Sequence, residues 1–210
     1  MAYFYHEQLA RSQAAWEKIK RSTVTICGAG ALGANIVETL ARTGFENLRV
    51  IDRDRVEERN LSTQPYFRTD IGAQKAKILA NSLYRAVGAK VEAISQELTS
   101  INADKLLSGI VIDCFDNSQG RRAVTESCVR QNLACLHVGL ANNYAEFIWN
   151  EVYRVPSDAQ DDVCDYPLAR NLVLMSTAIA SETLIKFIVS GAKENLSLTF
   201  DDLRVSKLSL

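Results

Sequence analysis

The chain has 210 residues, 47% of them apolar and 23% charged, the make-up of a soluble globular protein long enough to bury a full core. The formal net charge is −1, so bulk charge gives no case for a nucleic acid or an anionic membrane as partner. The length suits one α/β domain over residues 1–210, and no uninterrupted apolar run is long enough to span a bilayer.

The start carries Glu7 and no apolar stretch, so no signal peptide is expected. Residues 1–22 are expected to contribute an N-terminal helix, over 8–20. A β-rich run at 23–27 ends at a glycine, and 31–43 has helical composition with Gly44 as its stop. A second strand is expected at 48–52, a helix at 71–87 before Gly88, a strand at 90–95 and a short helix at 101–107. Residues 110–113 read as a strand buried on both faces, 118–131 as a helix and 134–139 as another strand.

This alternation of strand and helix over 23–140 predicts a Rossmann-like, doubly wound, mostly parallel sheet. From 141 the pattern changes. Residues 145–155 read as a long strand, antiparallel in style, followed by an acidic loop holding Asp158, Asp161, Asp162 and Asp165. A long apolar helix over 169–189 is too interrupted by Ser, Thr, Glu and Lys for a membrane helix and is expected in the core. The tail from Leu196 is expected to add one or two edge strands.

The first chemistry-bearing feature is G-x-G-x-x-G at Gly28, Gly30 and Gly33, directly after a strand and opening a helix. In that context the first glycine permits a tight turn, the second lets a phosphate approach the backbone, and the third lets helix and strand pack closely. The helix N-terminus offers N–H groups and a partial positive charge to the phosphate. Asp52 ends the next strand, where a ribose-binding acid belongs. These residues specify a nucleotide and leave NAD and ATP both open.

The connection from Asp54 to Lys75 is long and polar, and long connections in compact domains are usually functional. Asp54, Asn60 and Gln64 from this loop are candidate nucleotide-binding residues, and Lys75 is the candidate neutraliser of phosphate charge. Asp116 follows an apolar strand at its C-terminal end, where ligands bind in such sheets, and a carboxylate there suits Mg²⁺ on ATP phosphates. Asn117 beside it is a further nucleotide-binding candidate.

The glycine fingerprint, I-D-R-D at 51–54, R-N-L-x-x-Q at 59–64, D-I-G-x-x-K-A at 70–76 and D-x-x-D-N-x-x-x-x-R from Asp113 resemble, in order, the ThiF/MoeB/HesA family. This is the bacterial branch of the ubiquitin-activating enzyme superfamily. The resemblance implies ATP-dependent adenylation of the C-terminal glycine of a ubiquitin-like or sulfur-carrier protein, with Asp52 on the ribose, Lys75 on phosphate and Asp116 on Mg²⁺. It also implies a homodimer. Two departures stand out. Thr63 occupies the place of a family arginine near the triphosphate, and Glu7 that of an arginine donated across a dimer. Arg11, Arg59 and Arg68 are the candidates to replace them.

Five cysteines, Cys27, Cys114, Cys128, Cys135 and Cys164, form no C-x-x-C pair. Reduced thiols in the cytoplasm are expected, with no structural zinc. Cys164 is the candidate nucleophile for a thioester or persulfide, although neighbouring acids would raise its pKa. The other four are read as small hydrophobes in the core. His137, at a strand's end, is read as a hydrogen-bonded core residue, and Tyr66-Phe67 as packing. Three alternatives accompany the adenylyltransferase reading: a catalytically weakened nucleotide-binding assembly module, activation of a carboxylate on modified tRNA, and an NAD(H) oxidoreductase.

Overall fold

The computed structural model describes residues 2–156 and 167–208. Its parallel half is built from β1 (Thr23–Cys27), β2 (Asn47–Ile51), β3 (Glu92–Ile94), β4 (Ile110–Asp113) and β5 (Cys135–Ala141). Antiparallel β6 (Tyr144–Trp149), β7 (Leu196–Thr199) and β8 (Arg204–Lys207) extend the same sheet, whose order is β3-β2-β1-β4-β5-β6-β7-β8. The helices are α1 (Tyr5–Ala10), α2 (Gln13–Arg21), α3 (Ala31–Thr43), α4 (Lys75–Val87), α5 (Ala103–Leu106), α6 (Ser118–Gln131) and α7 (Arg170–Ser190).

The strands of the parallel half are apolar on both faces because both faces are covered. Val24, Ile26, Val50, Ile112 and Leu136 belong to the core packed with α3, α4 and α7. Their alternating neighbours Cys27, Ile51, Val111 and Cys135 pack on the opposite side with residues of α5 and α6. Chain direction across the sheet reverses between β1 and β4, which are paired neighbours. In such sheets the crevice beyond the strands' C-terminal ends at this switch is where ligands bind.

The helix expected over 8–20 is two helices. Arg11 is extended, and Ser12 starts α2 by accepting a hydrogen bond from Ala15 N. Arg11 turns its guanidinium to Glu7 and to Glu182 of α7. The helix expected from residue 71 begins at Lys75, because a 3₁₀ turn (Arg68–Asp70), Gly72 at φ +87° and an antiparallel bridge from Gln74 to Arg55 take up the preceding chain. The long strand expected over 145–155 stops at Trp149: Val152 and Tyr153 both donate to the Trp149 carbonyl, and the chain folds back. The tail forms two strands, β7 and β8.

Helix α7 is long and apolar enough to cross a membrane by length and composition, yet half of that stretch is buried within the protein. Leu172, Ala180 and Leu184 are inaccessible to solvent, and the helix packs on α3, β5 and β6. It is a core helix, as its interrupted sequence suggested.

Candidate nucleotide site at the topological switch

The three glycines of the loop are required for different reasons. Gly28 has φ +97°, and a Cβ there would lie 3.1 Å from the Cys114 carbonyl oxygen. A Cβ on Gly33 would sit 1.9 Å from the Gly28 carbonyl oxygen, a backbone clash with no side chain able to yield. Gly30, by contrast, has φ −79° and a Cβ there would meet nothing within 4 Å. Its backbone faces open space at the N-cap of α3, a position with no side-chain cap. The fold needs the first and third glycines, and the second keeps the helix end open to a phosphate.

Asp52 is buried against this loop. One carboxylate oxygen accepts from Ala29 N at 2.6 Å and the other from Asp54 N at 2.7 Å. Burial pushes its carboxyl above the ordinary range, and the two N–H donors and Lys75 offset this only in part. Lys75 opens α4 with its side chain almost fully enclosed, its ammonium 3.6 Å from Asp54 and its backbone N–H on the Asp54 carbonyl. Asp52, Asp54 and Lys75 therefore meet beside the glycine loop, as the sequence predicted.

The long connection straps itself over the loop. Asn35 of α3 donates to both the Ala31 and the Thr63 carbonyls, and Tyr66 OH donates to the Ala29 carbonyl. Tyr66 is thus a packing residue, while Phe67 is exposed. Asn60 accepts from Glu57 N and shapes the 3₁₀ turn Glu58–Ser62. Gln64 is buried, and among the described residues its Oε1 has no hydrogen-bond partner. A buried acceptor left unpaired is costly, and a ligand donor would satisfy it.

Beyond β4, Asp116 is exposed and Asn117 Nδ2 donates to it at 3.3 Å. The Asn117 side-chain oxygen caps α6 by accepting from Gly120 N at 2.7 Å, so that oxygen is committed to the helix. Among the described residues no group of three or more His, Cys, Asp or Glu could hold a metal ion. Mg²⁺ carried on nucleotide phosphates needs only one or two protein carboxylates, so a single exposed Asp116 fits it. The open Gly30 backbone and the unpartnered Gln64 oxygen likewise fit a nucleotide.

His137 is the hydrogen-bonded core residue that the sequence suggested, and it belongs to a buried polar cluster next to the switch. Asp113, fully buried at the end of β4, meets His137 Nδ1 at 2.8 Å and Arg121 Nη1 at 3.7 Å. Tyr153 stacks on His137 with ring centroids 3.6 Å apart, and Arg121 donates to the Tyr153 hydroxyl and the Val138 carbonyl. Burial alone would push the Asp113 carboxyl up, but Arg121 and the His137 hydrogen bond outweigh it and hold it below the usual carboxylate range. The motif spacing pointed to Arg122, which is exposed. Helical periodicity would have found Arg121, which shares its face with buried Val124 and Cys128.

Cys27, Cys128 and Cys135 are buried and Cys114 half-buried, all as free thiols. Burial raises the pKa of Cys27, Cys114 and Cys135, which suits inert core thiols. Cys164 and the acidic stretch from Asp158 to Asp165 lie outside the described residues.

A glycine loop at the switch point of a doubly wound sheet, braced by a buried aspartate and faced by a buried lysine, frames a candidate nucleotide site on a Rossmann-like fold. Comparison with known sequences makes this specific: the ThiF family profile matches residues 5–201, and the chain belongs to the ThiF family. It is 35% identical over 133 residues to the sulfur carrier protein adenylyltransferase of Thermus thermophilus, covering 60% of this chain and 49% of that one. It is 29% identical over 134 residues to the sulfur carrier protein ThiS adenylyltransferase of Bacillus subtilis, covering 61% and 40%. The chain thus spans about half the length of these relatives or less. Among solved structures, E. coli MccB with ATP superposes with a TM-score of 0.78 at 20% identity, covering 93% of this chain and 66% of MccB, which shows the shared fold.

Proposed function

We propose that the protein is an ATP-dependent adenylyltransferase that activates the C-terminal carboxylate of a small ubiquitin-like or sulfur-carrier protein. The reading rests above all on the convergence of Asp52, Lys75 and the Gly28–Gly33 loop at the switch point, in a family whose similar members are named adenylyltransferases.

The carrier carboxylate attacks the α-phosphorus of ATP, the bond to the bridging oxygen breaks, and pyrophosphate leaves with an acyl adenylate formed. No general base is required, because the attacking carboxylate is already ionised near neutral pH. The chain's task is to hold anions together. The glycine loop and the N-terminus of α3 receive phosphate oxygens, Asp52 accepts from a ribose hydroxyl, and Lys75 neutralises developing charge. Mg²⁺, held by Asp116, would supply further neutralisation of the phosphates. A cytoplasmic homodimer is part of the same proposal.

The test is pyrophosphate exchange into ATP, with and without a carrier ending in Gly-Gly, beside Lys75→Ala and Asp116→Ala. Carrier-dependent exchange that falls by at least about 100-fold in both variants is the expected outcome. ATP binding without exchange for any cognate carrier would instead favour a nucleotide-binding assembly module, a reading that Thr63 and Glu7 keep in view.

A further inference from the structure

The nucleotide site as described is short of positive charge. Asp52 and Asp54 take up the Lys75 ammonium, and Arg53 is shared between Asp54 and Glu97. A triphosphate brings more negative charge into the same place. The strap over the glycine loop offers no arginine at Thr63, whose side chain is neutral and whose carbonyl is held by Asn35. Arg11 is engaged by Glu7 and Glu182, and Arg59 by Glu57. Arg68 is exposed in the next 3₁₀ turn, beyond the Tyr66 anchor.

Within the strap Arg55 donates to the Gly72 carbonyl, and a further arginine reaches the strap from a distant part of the sequence. Arg170, the first residue of α7, donates Nη1 to the Ser62 carbonyl at 3.3 Å, across 108 positions. Its partner is a neutral oxygen, and among the described residues no carboxylate lies within ion-pair distance of it. Among the described residues, Ser62 takes only one of its five N–H donors. The tether fixes where that charge sits: Ser62 adjoins Thr63, Thr63 is bound through Asn35 to Ala31, and Ala31 is the first residue of the helix that receives phosphate.

We propose that Arg170 is the cation that binds the β- and γ-phosphate end of ATP, supplied from α7 in place of a cation in the strap. This rests on the adenylyltransferase reading for its consequence in catalysis, but its direct signature is a preference for ATP over AMP. A guanidinium also suits the role chemically, since its planar fork can engage phosphate oxygens while one N–H remains on Ser62.

The test measures ATP and AMP affinity by calorimetry on the full chain, for the wild type, Arg170→Gln and Arg170→Lys, with thermal unfolding as the folding control. Glutamine retains an amide donor for the Ser62 carbonyl and loses the charge. Arg170→Gln is expected to weaken ATP at least about tenfold and leave AMP within about twofold, with an unchanged melting temperature. Arg170→Lys should restore part of the ATP affinity. Arg170→Gln binding ATP as tightly as the wild type would overturn the proposal and reduce Arg170 to a tether. An equal loss for ATP and AMP would overturn it too, as a general disturbance of the strap. Wild-type ATP preference that depends on Arg170, together with no carrier-dependent exchange, would sink the adenylyltransferase reading and leave Arg170 as the phosphate ligand.

Discussion

Asp113 has no solvent contact, and its charge is matched by Arg121 and by a hydrogen bond from His137. Removing one member of a buried ion pair leaves the other uncompensated, which typically costs about 3–5 kcal/mol. Asp113→Asn is therefore expected to lower unfolding stability in urea by about that amount at neutral pH. The pH dependence has a definite sign. Because the folded state holds this carboxyl below its ordinary range, the stability it contributes is fully present above the unfolded pKa and is lost as pH falls through the lower folded value. The gap between wild type and Asp113→Asn should close as the pH is taken below about 4, and a gap that widened there would contradict the assigned charge state. Sequence reading reached Asp52, Lys75 and the three glycines because each sits at a fixed offset from a strand or helix end. It read His137 as a hydrogen-bonded core residue but not its partners, because His137 and Tyr153 lie 24 and 40 positions beyond Asp113, and only the fold-back after Trp149 brings Tyr153 over the imidazole.

At the level of elements, the β1–loop–α3 unit separates what the fold needs from what a ligand needs. Gly33→Ala drives a methyl group to 1.9 Å from a backbone oxygen, so loop and helix must part. A loss above about 4 kcal/mol, or no soluble protein, is expected. Gly30→Ala meets nothing within 4 Å and keeps an ordinary φ, so stability should change by no more than about 1 kcal/mol while ATP affinity falls at least about tenfold as the helix end is obstructed. Urea melts and ATP titrations on both variants check the pair, and equal destabilisation by the two substitutions would show that the open face of Gly30 has no role. The boundaries legible in the sequence were those marked by glycine after a periodic run, such as Gly44 ending α3 and Gly88 ending α4. The illegible ones depended on local hydrogen bonding. Ser12 capping α2 broke a helix that composition alone would continue, and the bridge between Arg55 and Gln74 delayed α4 to Lys75.

Over the whole molecule, one sheet separates two apolar layers, and the second of these contains three of the free thiols. Cys27 lies on central β1, Cys135 on β5 and Cys128 on α6, all inaccessible to solvent. They report on one layer from three elements that are far apart in the sequence. That the sheet is parallel and doubly wound was readable from the alternation of elements. That it runs on into antiparallel strands was readable too, since β6 follows β5 as a hairpin; the pairing of the tail strand β7 with β6 was not, because that contact is long-range and no local pattern encodes it. If the sheet and the α5–α6 layer open as one cooperative unit, the three thiols must become reactive together. In a Cys114→Ser, Cys164→Ser background, labelling by a thiol reagent should proceed at one common rate, with a urea dependence equal to that of global unfolding. The variant removes the half-buried thiol and the one outside the described residues, so the signal comes from the layer alone. Rapid labelling of Cys128 with little urea dependence would instead mean that α6 detaches from the sheet by local opening. Since α6 carries both the Asn117 cap beside Asp116 and the Arg121 partner of Asp113, such an opening would uncouple the Asp116 side of the candidate nucleotide site from the glycine loop.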